Sequence, residues 1–253
     1  MSVAFQPPFS SLAQLDRRLA KHGFVLLEGP DVSDWLQAEP AERDMLHEAW
    51  RRLPPDPHLR DGGRYRHRRH GSFIVDGRRV EPVVHRAHWQ PLEYNALHGG
   101  MERWFEPIEP ATLAQPLWTR LLVRLGEVAS TLRGVRPWYV EAHPFRIDTA
   151  GGIGRPTPEG AHRDGVDLVA VLVLERHAIK GGESRVFAAD GPAGQRFTLD
   201  TPWSLLLLDD ARVIHETTPI QPLEPGHLGW RDTLVVTYRS DGFQGPSQQT
   251  KQD

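Results

Sequence analysis

A nearly unbroken apolar run, VDLVAVLVL at residues 166–174, limits the fold more than any other feature of the sequence. The run falls far short of the ~20 residues that a membrane-spanning helix needs, whereas its length and valine content suit a β-strand. A strand that is apolar at consecutive positions is typical of a central strand covered on both faces. The run therefore predicts a sheet with further structure packed against each side.

The second half of the chain has the pattern of an antiparallel sheet. Clusters of Gly, Pro and Asp separate short apolar segments there, as turns separate strands. The predicted strands cover residues 138–147, 166–174, 183–187, 204–208 and 233–239.

The first half is mainly helical with some strands. Residues 11–14 match a capping box, Leu12, Leu15 and Leu19 follow with helical spacing, and a glycine at position 23 ends the helix. A short strand at residues 24–27 and helices at 41–52 and 113–132 are predicted next. The predicted fold class is α+β, with N-terminal helices packed on the outside of a long antiparallel sheet or sandwich.

Composition narrows the classes of function. The net charge of −3 gives no general attraction to nucleic acid or to anionic membranes, so we expect neither as a partner. The basic stretch RYRHRRHGSF at 64–73 has no second basic, aromatic-rich patch to accompany it, which disfavours nucleic acid again. The N-terminal residues lack the pattern of a signal peptide, and we therefore expect a cytoplasmic protein.

The absence of cysteine limits any metal site to histidine and carboxylate ligands, which favours iron, manganese or zinc. In GAHRDGVDL, His162 and Asp164 lie two residues apart, so both side chains can face one ion from a strand edge. His215, directly after another apolar strand, is the candidate third ligand. Two histidines and one carboxylate form the facial triad of non-haem Fe(II) oxygenases, which leaves positions open for an oxo-acid and O₂. The alternative is a pair of loop histidines with an aspartate that caps a turn.

A carboxylate-bearing co-substrate also requires a buried cation, and GWRDTLVVTYR supplies two. Arg231 and Arg239 lie eight residues apart on one predicted strand and therefore share a face. The planar guanidinium fork of arginine matches a carboxylate, and Arg231 is the first choice. The alternative for Arg231 is a surface salt bridge with Asp232.

The ordered motifs HRDGVDL, GGES, LDDARVIHETTPI and WRDTLVVTY, within residues 135–240, resemble the Fe(II)/2-oxoglutarate dioxygenases. The resemblance is strongest to the bacterial branch that includes L-isoleucine hydroxylase and the biofilm stress and motility protein. It implies a double-stranded β-helix (jelly-roll, cupin-like) core and the ligands His162, Asp164 and His215 for Fe(II). It also implies that Arg231 binds the distal carboxylate of 2-oxoglutarate, with Arg239 as an open alternative.

The resemblance further implies an oxygenase that consumes 2-oxoglutarate and O₂, releases succinate and CO₂, and hydroxylates a small molecule. A free L-amino acid is the favoured substrate. Two alternatives remain: a cupin-type metalloenzyme that does not use 2-oxoglutarate, and a non-catalytic ligand-binding regulator of stress or biofilm formation on the same barrel.

Three arginines are candidate substrate contacts. Arg146 lies on the strand before the His-x-Asp motif, and Arg64 and Arg66 alternate in the basic stretch. Each has a simpler interpretation as a solvent-facing strand residue. The oligomeric state stays open between monomer and homodimer.

We expect one domain over residues 1–253. Its helical half covers 1–134, the jelly-roll core with the metal site covers 135–240, and the polar segment 245–253 is a disordered tail.

Overall fold

Two groups of antiparallel strands face each other in the computed structural model, which describes residues 6–95, 97 and 99–246. The strands of the described residues are β1 (Phe24–Leu27), β2 (Arg66–Arg68), β3 (Gly71–Asp76), β4 (Arg79–Pro82), β5 (Trp138–Asp148), β6 (Leu168–His177), β7 (Ile179–Gly181), β8 (Ser184–Ala188), β9 (Gly194–Phe197), β10 (Ser204–Asp209), β11 (Val213–Thr217), β12 (Ile220–Pro222) and β13 (Trp230–Arg239).

The larger sheet has the order β1-β10-β6-β13-β5-β3-β4, and β2 also pairs with β5. Facing it are the three-stranded sheet β11-β8-β9 and the ribbon β12-β7. This is the double-stranded β-helix (jelly-roll) core that the resemblance to the dioxygenases implies. Strands from both halves of the chain enter the larger sheet, since β1 to β4 precede residue 134.

Strand β6 lies between β10 and β13, as its apolar run predicts. On its outer face, Leu168, Ala170 and Leu172 belong to the main hydrophobic core. On its inner face, Val169 and Val173 belong to a second core that they share with residues of β8 and β9. Both faces are therefore covered, which explains why the run has no polar alternation.

Helices cover the outer face of the larger sheet. They are α1 (Leu15–His22), α2 (Gly29–Leu36), α3 (Pro40–His47), α4 (Pro110–Leu113) and α5 (Pro116–Arg133). The longest, α5, buries Leu117, Leu121, Leu125 and Val128 in the main core, which confirms the predicted helix face. The hydroxyl of Tyr238 on β13 donates a hydrogen bond to the carbonyl of Leu122 at 2.7 Å, which fixes α5 to the sheet.

Several local predictions differ from the structure. Ser11 makes no capping hydrogen bond; a capping box occurs instead at the start of α3, between Glu39 and Glu42. The prediction missed α2, because Gly29-Pro30 resembles a break, although proline is favoured in a first helical turn. It also missed the hairpin of β3 and β4, and the short strands β7, β9, β11 and β12, whose few residues carry little periodic signal.

The extent of the domain and its tail stay predictions. Residues 247–253 of the predicted tail lie outside the described residues. Within the described part of the chain, every helix is too short or too polar to cross a bilayer.

Trp50, in the 3₁₀ turn Glu48–Arg52 that follows α3, connects the helical layer to the sheet. It is 1% exposed, and its indole Nε1 donates to the carbonyls of Phe145 at 3.1 Å and Thr233 at 3.0 Å. Thr233 lies where the register of β13 against β6 shifts. The indole therefore satisfies carbonyl groups of two central strands beside an irregular point of the sheet.

We expect Trp50→Phe to lower the free energy of unfolding by about 1–3 kcal/mol, because two buried carbonyls lose a hydrogen-bond donor. The control is Trp104→Phe, since Trp104 is 53% exposed and its replacement should change stability by less than about 0.5 kcal/mol. Urea denaturation measures both values. Equal effects of the two substitutions would show that Trp50 does not connect the layers in this way.

Candidate functional site

A cavity of about 130 Å³ lies between the larger sheet and the facing strands. On β13, alternate residues Arg231, Thr233, Val235 and Thr237 line it. The residues between them point to the helical side, where Leu234 and Val236 join the main core. The two-residue period of a strand thus decides which side chains reach the cavity.

His162 and His215 lie directly opposite each other across an isolated antiparallel bridge. The amide of His162 donates to the carbonyl of His215 at 3.0 Å, and the amide of His215 donates to that of His162 at 2.9 Å. Opposed residues of such a bridge point to one side, and the two ring centroids are 4.6 Å apart. The loop carrying the His-x-Asp motif is thereby aligned with β11.

Asp164 completes the group two residues further along the chain. Its Oδ1 is 3.9 Å from Nε2 of His162, and its Oδ2 is 3.7 Å from Nε2 of His215. One ligand atom from each of the three residues lies within 4.8 Å of the others, so a single metal ion could bind all three. The structure thus brings together the three residues that the sequence predicts as ligands.

Asp210 fixes the loop that carries Asp164. Its Oδ1 accepts a hydrogen bond from the amide of Asp164 at 3.0 Å, and its Oδ2 accepts from Gly165 at 2.8 Å and Val166 at 3.1 Å. Gly165 has a φ of 74°, and a Cβ there would lie 2.4 Å from the ring of Tyr94. The turn therefore requires glycine, and it directs three successive amides at one carboxylate.

The protonation of the group suits a metal. Burial, together with the charge of His162, lowers the pKa of His215 to about 3, so its imidazole is neutral at physiological pH. Burial also lowers the pKa of His162, but the carboxylates of Asp164 and Glu159 outweigh this and raise it overall. The pKa of Asp164 is raised by burial, with Glu159 adding to the rise. Carboxylates thus surround one neutral imidazole, His215, and one imidazole whose proton they favour, His162. A divalent cation in place of that proton would stabilise the same carboxylates.

Arg231 is a buried cation without a partner in the described part of the chain. It is 3% exposed and lines the cavity, and its Nε and Nη2 have no hydrogen-bond acceptor there. Burial, with a contribution from Arg176, lowers its pKa to about 9, so the guanidinium stays charged at neutral pH. An unpaired buried charge is costly, and an anion in the cavity would offset that cost.

Arg239 does not reach the cavity, which corrects the alternative assignment. It shares a strand face with Arg231, but eight residues of strand separate the two by roughly 26 Å. Its guanidinium donates instead to the carbonyls of Gly242 at 2.7 Å and Asp241 at 3.4 Å.

Two of the predicted substrate arginines also lie elsewhere. Arg146 faces the helical side and binds Asp232 through two hydrogen bonds of 2.8 and 2.6 Å, because it has the opposite parity to the cavity residues of β5. Arg64 precedes β2 and is exposed to solvent. Arg66 does line the cavity, but its Nε is already bound to Asp56 at 2.7 Å.

A polar end of the cavity was not identified from the sequence. His88, Gln90, Asn95 and Arg103, from the segment between β4 and α4, line this end, and an antiparallel bridge joins His88 to Arg103. Gln90 of the same segment donates from Nε2 to Oδ1 of Asp164 at 3.1 Å. No periodic pattern marks these positions, whereas parity along β5 places Glu141 and His143 at the same end.

A second histidine–glutamate cluster could in principle hold a metal: it comprises His70, His88, Glu141 and His143, all buried. Two guanidinium groups disfavour this interpretation. Arg68 Nη2 donates to Nδ1 of His143 at 2.7 Å, and Arg86 Nη1 lies 3.2 Å from Oε1 of Glu141. A divalent cation would be placed against both positive groups, so this cluster is better described as a hydrogen-bonded network.

A third group, His47, Glu175 and Asp232, lies on the helical side. Arg146 already occupies both oxygens of Asp232, and Nε2 of His47 is 2.8 Å from one of them. These contacts form an ion-pair network between α3 and β13.

Comparisons with known proteins agree with this geometry. Residues 47–237 match the family model of the 2OG-Fe dioxygenases. A bsmA homologue from Methylobium petroleophilum PM1 is 53% identical, with a TM-score of 0.89 over 96% of this chain and 98% of that one. IDO from Bacillus thuringiensis, 19% identical, has a TM-score of 0.73 over 91% and 99%. An oxidoreductase of the 2OG-Fe(II) oxygenase family from Burkholderia pseudomallei, 16% identical, has a TM-score of 0.54 over 96% and 100%. No curated protein matches the sequence.

The buried histidines predict a pH dependence of stability. Burial lowers the pKa of His88 to about 3, against about 6.5 in an unfolded chain. Between these values the unfolded chain binds the additional proton, so this contribution to the free energy of unfolding falls as pH falls. In a plot of the free energy of unfolding against pH, we expect His88→Asn to reduce the slope on the acid side by about 1.4 kcal/mol per pH unit.

The measurement is urea denaturation of metal-free protein from pH 6.5 to 4. His227→Asn is the matched control, because the side chain of His227 is 70% exposed, and it should keep the wild-type slope. An unchanged slope in His88→Asn would show that His88 is not buried in its neutral form.

Proposed function

The chain belongs to the 2OG-Fe dioxygenase family, whose oxidoreductases use Fe(II), 2-oxoglutarate and O₂, and on that premise we propose that it hydroxylates a free L-amino acid. The observation that carries the assignment of the site is the convergence of His162, Asp164 and His215 on one point of a cavity that also contains an unpaired arginine. A cupin-type enzyme without 2-oxoglutarate does not agree with the family match.

We assign Fe(II) to His162, Asp164 and His215. The donor set fits, because two imidazoles and one carboxylate suit a borderline ion such as Fe(II) and leave half of an octahedral shell open. Nδ1 of His162 lies 2.9 Å from the carbonyl of Gly160, which holds Nε2 toward the metal position. Gln90 and Asp210 hold the carboxylate and the backbone of Asp164 in place.

Arg231 is the proposed partner of the distal carboxylate of 2-oxoglutarate. Its free Nε and Nη2 form the fork that a carboxylate matches in a bidentate manner. Thr233, two residues along β13, lines the cavity on the same strand face. The buried charge that is unpaired in the structure gains its counterion when the co-substrate binds.

When bound, iron would supply the chemistry by which O₂ oxidises 2-oxoglutarate to succinate and CO₂ and hydroxylates the substrate, with one oxygen atom entering succinate and the other the new hydroxyl group. The chain positions the reactants and excludes water. Phe145, Ile147, Val171 and Val235 give the cavity an apolar wall, which suits an aliphatic portion of the substrate.

A small zwitterion matches the remaining polar groups. The cavity volume of about 130 Å³ suits a small molecule. Oε2 of Glu159 is buried at the cavity and has no partner within the described residues, so it can accept a hydrogen bond from an ammonium group. The resemblance to the branch that includes L-isoleucine hydroxylase supports the same substrate class.

Arg231→Gln should weaken 2-oxoglutarate binding on the order of a hundredfold, because the bidentate charged contact is lost. Anaerobic titration of the Fe(II) protein, followed by its charge-transfer absorption, gives the affinity. Arg239→Gln is the matched control on the same strand face and should bind 2-oxoglutarate like the wild type. Normal affinity in Arg231→Gln would refute the assignment.

For the substrate, we expect one of the common L-amino acids to accelerate succinate release and to gain one oxygen atom by mass spectrometry. The basal release of succinate without an amino acid is the reference. If basal release occurs and no amino acid raises it or gains oxygen, the substrate belongs to another class of small molecule.

A further inference from the structure

Two buried arginines lie at the polar end of the cavity, away from any role in the proposed binding of iron and 2-oxoglutarate. Arg68 on β2 is 3% exposed and Arg103, between β4 and α4, is 2% exposed, and both line the cavity. Arginine is seldom buried without a carboxylate or phosphate partner.

In the structure both guanidiniums contact neutral acceptors. Nη2 of Arg68 donates to Nδ1 of His143 at 2.7 Å, and Nη2 of Arg103 donates to Oε1 of Gln90 at 2.8 Å. The Nε of each is buried and has no acceptor in the described residues. The hydrogen-bonding capacity of two cations is thus partly unused.

The charges of Asp56, Glu141 and Glu159 act on Arg103, but none of these carboxylates forms an ion pair with Arg68 or Arg103 in the described part of the chain. Asp56 binds Nε of Arg66 at 2.7 Å. Glu141 contacts Arg86, His70 and His88, each at 3.2 Å. The two buried guanidiniums therefore have no carboxylate at hydrogen-bonding distance within the described residues.

The guanidinium of Arg68 is also held in position. It lies over the ring of Phe105 at 3.7 Å and over that of Phe145 at 4.4 Å. Contact with two aromatic faces fixes the plane of the guanidinium without using its N–H groups. Such a group is preorganised to bind an anion, because little side-chain entropy remains to be lost.

Gln90 connects this end with the candidate metal site. Its Oε1 accepts from Arg103, and its Nε2 donates to Asp164 at 3.1 Å. One carboxamide group therefore separates Arg103 from a proposed ligand of iron. Arg103 and the proposed metal ligands also line the same cavity.

We propose that Arg68 and Arg103 bind a carboxylate of the substrate, distinct from the 2-oxoglutarate carboxylate at Arg231. This inference rests on the proposed function and specifies its substrate as an anion at one end, with an uncharged portion near the apolar wall. Molecules of the same shape without the carboxylate are poor ligands.

The test uses isovalerate and isovaleramide, which have the same shape and differ in charge. Protein loaded with Mn(II) and N-oxalylglycine, an inert analogue of 2-oxoglutarate, is titrated with each by calorimetry, so that Arg231 is already occupied. We expect isovalerate to bind at least about tenfold more tightly than isovaleramide. Arg68→Met and Arg103→Met should each abolish this preference.

Arg64→Met is the matched control, because Arg64 belongs to the same basic stretch but is exposed, and it should keep the preference. If circular dichroism shows that a methionine variant does not fold, Arg68→Lys and Arg103→Lys replace it. Lysine keeps the charge but lacks the planar guanidinium fork, so these variants should show a smaller preference for isovalerate over isovaleramide. Equal binding of the two probes, no binding of isovalerate, or a preference that survives in the Arg68 and Arg103 variants would overturn the inference.

Failure of the proposed function gives a different result. If N-oxalylglycine does not bind, the assignment of Arg231 fails, and the two probes are then titrated against metal-free Arg231→Gln protein. A preference for isovalerate that depends on Arg68 and Arg103 in that variant supports the inference independently, and its absence rejects it.

Discussion

The reciprocal backbone hydrogen bonds between His162 and His215 are the interaction on which the candidate site depends. They join the loop before β6 to β11, so two residues 53 positions apart present their rings from one bridge. Asp164 then reaches the same point because it lies two residues beyond His162. Asp210 holds this loop from the strand end before β11, and its three accepted hydrogen bonds leave the turn little freedom.

Acidic and basic side chains occupy different parts of the cavity. Carboxylates gather around the two histidines, where a divalent cation would balance them. Guanidiniums that form no ion pair within the described residues lie in two other places, Arg231 on β13 and the pair Arg68 and Arg103 at the polar end. The protein thus contains buried charges of both signs that its own residues pair only in part. A metal ion would pair with the carboxylates, and carboxylate ligands would pair with the guanidiniums. The cost of these charges in the ligand-free protein is the physical basis for tight and selective binding.

Much of this could be predicted from the sequence. The central position of β6 follows from its unbroken apolar run, and the three candidate ligands follow from spacing and motif order. Parity places His143 and Arg146 on opposite faces of β5 but does not tell which face meets the cavity, and Arg146 was the wrong choice as a substrate contact. Parity could not separate Arg231 from Arg239, because both share a face and the difference lies in their distance from the cavity. Gln90 and Arg103 could not be predicted, since they lie in a segment whose conformation depends on tertiary contacts with no periodic signal.

The central claim is that iron binds at His162, Asp164 and His215. The most direct test is a crystal structure of the anaerobic protein with Fe(II) and 2-oxoglutarate, measured at the iron absorption edge. The account predicts one strong anomalous peak between these three side chains, with 2-oxoglutarate extending from it toward Arg231. A peak at His70, His88, Glu141 and His143 instead, or none at the predicted ligands, would contradict it.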